Sequence, residues 1–65
     1  MNFIDAVKCM DQGEVVVLDG DKFRIDDKMN IIEEYIESAK DWLPTILTVT
    51  EYTSEDWEID YGTKN

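Results

Sequence analysis

Histidine is absent and cysteine occurs once, at Cys9. An internal disulfide is thereby excluded, as is a zinc centre built from Cys and His ligands. Proline also occurs once, at Pro44, and Gly13, Gly20 and Gly62 stand far apart, so there is no glycine-rich loop to cradle a phosphate. Cations are few: 6 Lys+Arg against 16 Asp+Glu give a formal net charge of −10. No uncharged stretch approaches the roughly 18 residues that a membrane-crossing helix needs. The first residues, Met1 to Asp5, lack the basic start of a secretory leader. The expected compartment is the cytoplasm, where one unpaired thiol is ordinary.

The 65 residues suffice for one domain with a thin stability margin, because so short a chain buries a smaller share of its surface than a longer one. With no covalent or metal staple, a homo-oligomer is the expected reinforcement. The surplus negative charge points away from nucleic acid as a direct partner and away from anionic membranes. A globule of this length should measure roughly 25 to 30 Å across, and a DNA duplex that long carries about 15 to 17 phosphates. The two charge densities are comparable, so a basic, nucleic-acid-binding protein that meets the chain as a DNA mimic is the natural partner. The plainer alternative is that the acids only supply solubility.

Phe3, Ala6, Val7 and Met10 follow the i, i+3, i+4, i+7 spacing of one helical face, with Asn2 placed to cap it. This spacing predicts a helix over about residues 3–12, ended by Gly13. Glu14 to Leu18 is a β-branched run that reads as a strand, and Asp19-Gly20 favours the type I′ turn that returns the chain through Phe23 and Ile25. Residues 28–43 support two readings. Met29, Ile32, Ile36, Ala39 and Leu43 fall on one helical face, whereas Asp26 to Asn30 resembles a polar hairpin turn and Asn30 to Glu37 alternates acceptably for a strand.

Pro44 lacks an N–H and pushes Leu43 out of the helical region, so Trp42-Leu43-Pro44 is expected to break the chain. A new element should begin there, β-branched from Thr45 to Thr50, followed by one short helical turn over Thr50 to Ser54. Trp57, Ile59 and Tyr61 alternate with Glu58 and Asp60, predicting a last strand with one buried face.

Catalysis finds little support in these residues. Paired acids need a concave pocket to raise one carboxyl's pKa, which so small a chain rarely builds. Cys9 lies beside the Ala6 and Met10 face without a histidine to activate it, and reads as a structural thiol. Asp19-Gly20-Asp21 and Asp26-Asp27 concentrate oxygen ligands, but without the spacing of a calcium-binding loop, so turn chemistry accounts for them and no metal or cofactor is expected. Trp42 and Trp57 are the candidates for recognition, each offering a flat surface and one N–H, although core packing is the commoner use. Tyr35, Tyr52 and Tyr61 are expected nearer an interface.

Three stretches, Met1-Asn2-Phe3-Ile4-Asp5-Ala6-Val7-Lys8, Trp42-Leu43-Pro44-Thr45 and Thr53-Ser54-Glu55-Asp56-Trp57-Glu58-Ile59, together resemble the phage-encoded Thoeris anti-defence type 2 family. The resemblance implies an opening amphipathic helix, an antiparallel sheet and a closing Asp-Trp-Glu strand after a short turn, which tips residues 28–43 toward strand. The fold class is then α+β: an N-terminal helix packed on a small antiparallel β-sheet, with a short helical turn before the last strand. A single acidic domain spans 1–61, followed by a frayed tail at 62–65. The resemblance further implies an oligomeric phage protein in the bacterial host cytoplasm that sequesters nucleotide-derived immune signals without degrading them.

Trp42, Pro44, Asp56 and Trp57 match the family's recurrent motif. The chain departs from it after the first helix, where Val15-Val16-Val17-Leu18-Asp19 replaces basic and aromatic residues. Only Lys22 and Arg24 then look available to hold an anionic phosphate. Two expectations follow from different classes of partner. One is a protein that blocks a basic host protein, with acids such as Glu33, Glu34 and Glu37 among its contacts; the other is a nucleotide sponge using the tryptophans, Lys22 and Arg24. A structural or accessory dimer is the third.

Overall fold

The computed structural model describes residues 1–62; the expected frayed tail lies, apart from Gly62, outside the described residues. Helix α1 (Phe3–Asp11) begins where the Asn2 side chain accepts from the Asp5 amide at 2.9 Å. Its end is a Schellman motif. The Gly13 amide donates to the Met10 carbonyl and the Glu14 amide to that of Cys9, with Gly13 at φ 91°.

A meander of four strands follows: β1 (Val16–Leu18), β2 (Asp21–Asp26), β3 (Ile31–Ile36) and β4 (Asp41–Pro44). Asp19 (φ 51°) and Gly20 (φ 87°) both take the positive angles that the β1–β2 turn demands. The next two turns close on left-handed Asn30 (φ 56°) and Lys40 (φ 50°). Residues 28–43 thus form the end of one turn, a strand, a second turn and most of another strand. Helix α2 (Val49–Thr53) then carries the chain back to β5 (Glu58–Ile59), which pairs antiparallel with β1 and gives the order β4-β3-β2-β1-β5.

Three local expectations are corrected. Trp42-Leu43-Pro44 does not break the sheet but lies in β4. The Thr45 amide donates to the Ile32 carbonyl, so Pro44, one residue earlier and opposite Glu33, occupies a position whose N–H would point away from β3; no ladder bond is lost. The β-branched run from Thr45 has no second strand to pair with, and it divides into an irregular stretch and α2. There Thr48 and Glu51 form a capping box, the Thr48 amide donating to Glu51 Oε1 at 2.7 Å. The last strand is shorter than its alternation implies: Trp57 is buried and Ile59 half-buried, but Tyr61 is 79% exposed beyond the end of β5.

The core lies between one face of the sheet and α1, with α2 packed against α1 and the Trp57 indole and burying no side chain of its own. It comprises Ala6 and Met10 of α1, Val16 and Leu18 of β1, Phe23 of β2, Leu47 and Trp57, with Phe3, Val7, Cys9, Ile25 and Ile32 packed against it. Cys9 is half-buried, its Sγ 3.9 Å from Met1 Sδ, in keeping with a structural thiol. Trp57 is the hub. Its ring lies 5.2 Å from Phe23 and 5.8 Å from Phe3, and its indole N–H donates to the Glu51 carbonyl of α2 at 3.0 Å. Its amide donates to the Met1 carbonyl, and its own carbonyl accepts from the Met1 ammonium at 2.8 Å.

Truncating a buried tryptophan costs about 3–5 kcal/mol, most or all of the margin of a domain this small. Trp57→Ala is therefore expected to be largely unfolded by circular dichroism. A cooperative melt near that of the parent would contradict the central place given to this ring.

Candidate partner-binding surface

The helices cover one face of the sheet and leave the other open. Lys22 and Arg24 of β2 point to the open side because Phe23 and Ile25 point to the core, and strand pairing carries that alternation outward. Arg24 faces Glu33, Glu33 faces Pro44 and Tyr35 faces Trp42, and directly opposed residues share a face. Five of the residues nominated from sequence, Lys22, Arg24, Glu33, Trp42 and Pro44, are thereby brought together, with Tyr35 among them.

Their geometry is specific. Arg24 Nε donates to Glu33 Oε1 at 3.1 Å while its guanidinium carbon lies 4.4 Å from the centroid of the Trp42 ring. Tyr35 meets Trp42 edge-on, with centroids 5.5 Å apart. The cation, its carboxylate and the two rings form one layer, in which the ring quadrupole and Glu33 both satisfy the same positive charge. Lys22 Nζ lies 3.3 Å from Asp60 Oδ2. The expectation that Lys22 and Arg24 stand available for a phosphate is corrected here, since both are engaged by carboxylates of the chain itself.

The remaining nominees fall elsewhere. Glu34 lies on the helix-covered side of β3 and accepts from Thr45 Oγ1 at 3.3 Å. Glu37 is exposed in the β3–β4 turn, and Asp56 is exposed just before β5. Trp57 is 0% exposed, so neither face of its ring is open to a stacked ligand; as a recognition residue it is corrected to core.

Two surface hollows of about 290 and 320 Å³ border the β2 and β3 strands. Asp26 and Asp27 stand with Arg24 and Lys28 in the first, and Asp21, Glu34 and Glu37 with Lys22 alone in the second. In neither do cations outnumber acids, so a polyphosphate would meet repulsion at least equal to attraction. Among the described residues no group of His, Cys, Asp or Glu is placed to hold a metal ion, and no helix is long and apolar enough to cross a membrane.

No family model, curated protein or solved structure matches the chain.

Sequence reasoning missed one feature. Leu43, Ile46, Val49 and Tyr52 are all large, apolar and exposed, with Ile46 at 93% and Val49 at 76%. The β-branched character of Thr45 to Thr50, Ile46 and Val49 included, suggests a strand, whose alternate side chains would be buried, while Tyr52 is expected nearer an interface. The signal that could have exposed them was electrostatic, because residues 41–62 contain six acids and no Lys or Arg.

The Arg24–Trp42 contact should be measurable in a double-mutant cycle. With Arg24→Gln, Trp42→Leu and the double variant, urea denaturation is expected to yield a coupling of about 0.5–1 kcal/mol, the size found for partly exposed cation–π pairs. Strict additivity would show that the guanidinium does not rest on the ring.

Proposed function

We propose that this chain is a non-enzymatic, phage-encoded anti-defence or host-takeover protein that binds and blocks a basic host protein through its electronegative surface. The observation that carries the reading is the fate of the cations. Lys22 and Arg24, the two that could have served an anionic ligand, are paired with Asp60 and Glu33, in a chain whose net charge is −10. The surface charge left over is overwhelmingly negative. Its 16 carboxylates sit on a body of 27 × 24 × 24 Å, beside which a duplex of similar length presents about 15 to 17 phosphates. A groove evolved to hold DNA would therefore attract it at comparable charge density. The phage setting rests on the resemblance of the opening helix and of the Trp42-Leu43-Pro44-Thr45 and Asp56-Trp57-Glu58 stretches.

The half-exposed ring of Trp42 favours a second reading, a sponge for a cyclic-nucleotide or cyclic-ADP-ribose type of immune signal, since a base can stack on such a ring. Against it stand the pairing of both nearby cations and the burial of Trp57, which removes the second ring from any stacking role.

A competition experiment separates the two. A fluorescent duplex bound to each of a panel of basic host DNA-binding proteins is titrated with the chain at rising salt, and melting midpoints are measured with millimolar cyclic nucleotides and ADP-ribose derivatives. Displacement from at least one panel member that weakens steeply with salt, and no midpoint shift, are expected. A midpoint raised by a nucleotide would establish the sponge instead, and no displacement from any panel member at low salt would refute the blocking role.

A further inference from the structure

The exposed apolar side chains are unevenly distributed. Leu43, Ile46, Val49 and Tyr52 lie within ten consecutive residues running from β4 into α2, whereas Ile4, Met29 and Tyr61 are scattered. Single exposed hydrophobics need no explanation, but a run of them does. This one is held on a firm base. The capping box of Thr48 and Glu51 fixes the start of α2, the Trp57 indole binds the Glu51 carbonyl from the core side, and Tyr52 packs edge-on against Phe3 at 4.9 Å. Ile46 and Val49 are 93% and 76% exposed and are not members of the buried core.

The neighbouring sheet edge is poor in donors for strand addition. The outward-pointing amides of β4 belong to residues 42 and 44, those not directed at β3. Pro44 has no N–H, and the Trp42 amide donates to the Asp41 carboxylate at 2.8 Å. An incoming strand would find no free donor at either position. Docking through side chains is therefore favoured over extension of the ladder.

Charge selects the occupant. Asp41, Glu51, Glu55 and Asp56 lie within or beside the apolar run in sequence, with no Lys or Arg among residues 41–62, whereas Glu58 lies on β5 at the far edge of the sheet and Asp60 pairs with Lys22. A second copy would bring two such stretches together, and two bodies of charge −10, with like charges facing across any symmetric contact. A cationic partner gains where a second copy loses. Resting on the reading of the chain as a binder of basic proteins, we propose that Leu43–Tyr52 is the docking surface for a basic amphipathic segment of that partner. Its apolar side chains seat on Ile46 and Val49, and its lysines and arginines are drawn by the carboxylates that neighbour the run in sequence and by the net charge of −10.

The test uses two peptides of equal lysine count, an amphipathic Leu/Lys 18-mer and an oligolysine, titrated calorimetrically into the parent chain and into Ile46→Ser/Val49→Ser. Because both replaced side chains are exposed, the variant should melt as the parent does. The parent is expected to bind the amphipathic peptide at least about tenfold tighter than oligolysine, as burial of two aliphatic side chains implies. The double variant should bring the two peptides within about twofold while leaving oligolysine affinity unchanged. Equal binding of both peptides by the parent overturns the docking surface and leaves the charge-based function standing. Binding of neither at low salt overturns both. A parent dimer in sedimentation that the double variant dissolves would assign the surface to a second copy and overturn the proposal.

Discussion

The hydrogen bond from the Trp57 indole to the Glu51 carbonyl, made where the core meets α2, ties this small molecule together. A sheet of this size can bury one face only if something covers it, and the cover is two short helices that have little stability of their own. Trp57 fixes both. Its ring meets Phe3 of α1 and Phe23 of β2, its N–H holds α2, and its backbone exchanges hydrogen bonds with Met1 at the far end of the sequence. Since a buried indole N–H without a partner would cost about 1–3 kcal/mol, the position of α2 and the burial of the ring are mutually dependent.

The scarcity of cations shapes the rest of the surface. Arg24 and Lys22 sit on the open face of the sheet, each engaged by a carboxylate, and Arg24 also by the Trp42 ring. Such half-exposed pairs contribute little to stability, about 0–1 kcal/mol each. Their larger effect is to withdraw positive charge from any external anion. What the molecule presents outward is negative charge together with an aliphatic run, a combination suited to basic partners that are themselves amphipathic.

Much of the fold was legible because it is written in local patterns. The spacing of Phe3, Ala6, Val7 and Met10, the Gly13 stop and the Asp19-Gly20 turn each act over a few residues, and each appears where those patterns place it. The ambiguity of residues 28–43 was of another kind, since one set of apolar positions satisfied both periods and only pairing with β2 and between β3 and β4 decides between them. Pro44 misled because its effect depends on which way its missing N–H would point, a property of register. The candidate site was half legible for the same reason. Lys22, Arg24, Glu33, Trp42 and Pro44 converge through strand pairing. Trp57 and Trp42 are alike in sequence terms, but the helices cover the first and leave the second at the open face.

The residues that hold the fold and those that face outward along Leu43–Tyr52 are largely different sets. Leu47 alone of the core cluster falls inside that run, and the most exposed positions, Ile46 and Val49, have no share in it. Substitutions at such exposed positions carry little thermodynamic penalty. The sequence of this strip can therefore change while the scaffold beneath it stays fixed, a freedom that so marginal a domain could not have if its exposed residues were also its packing residues.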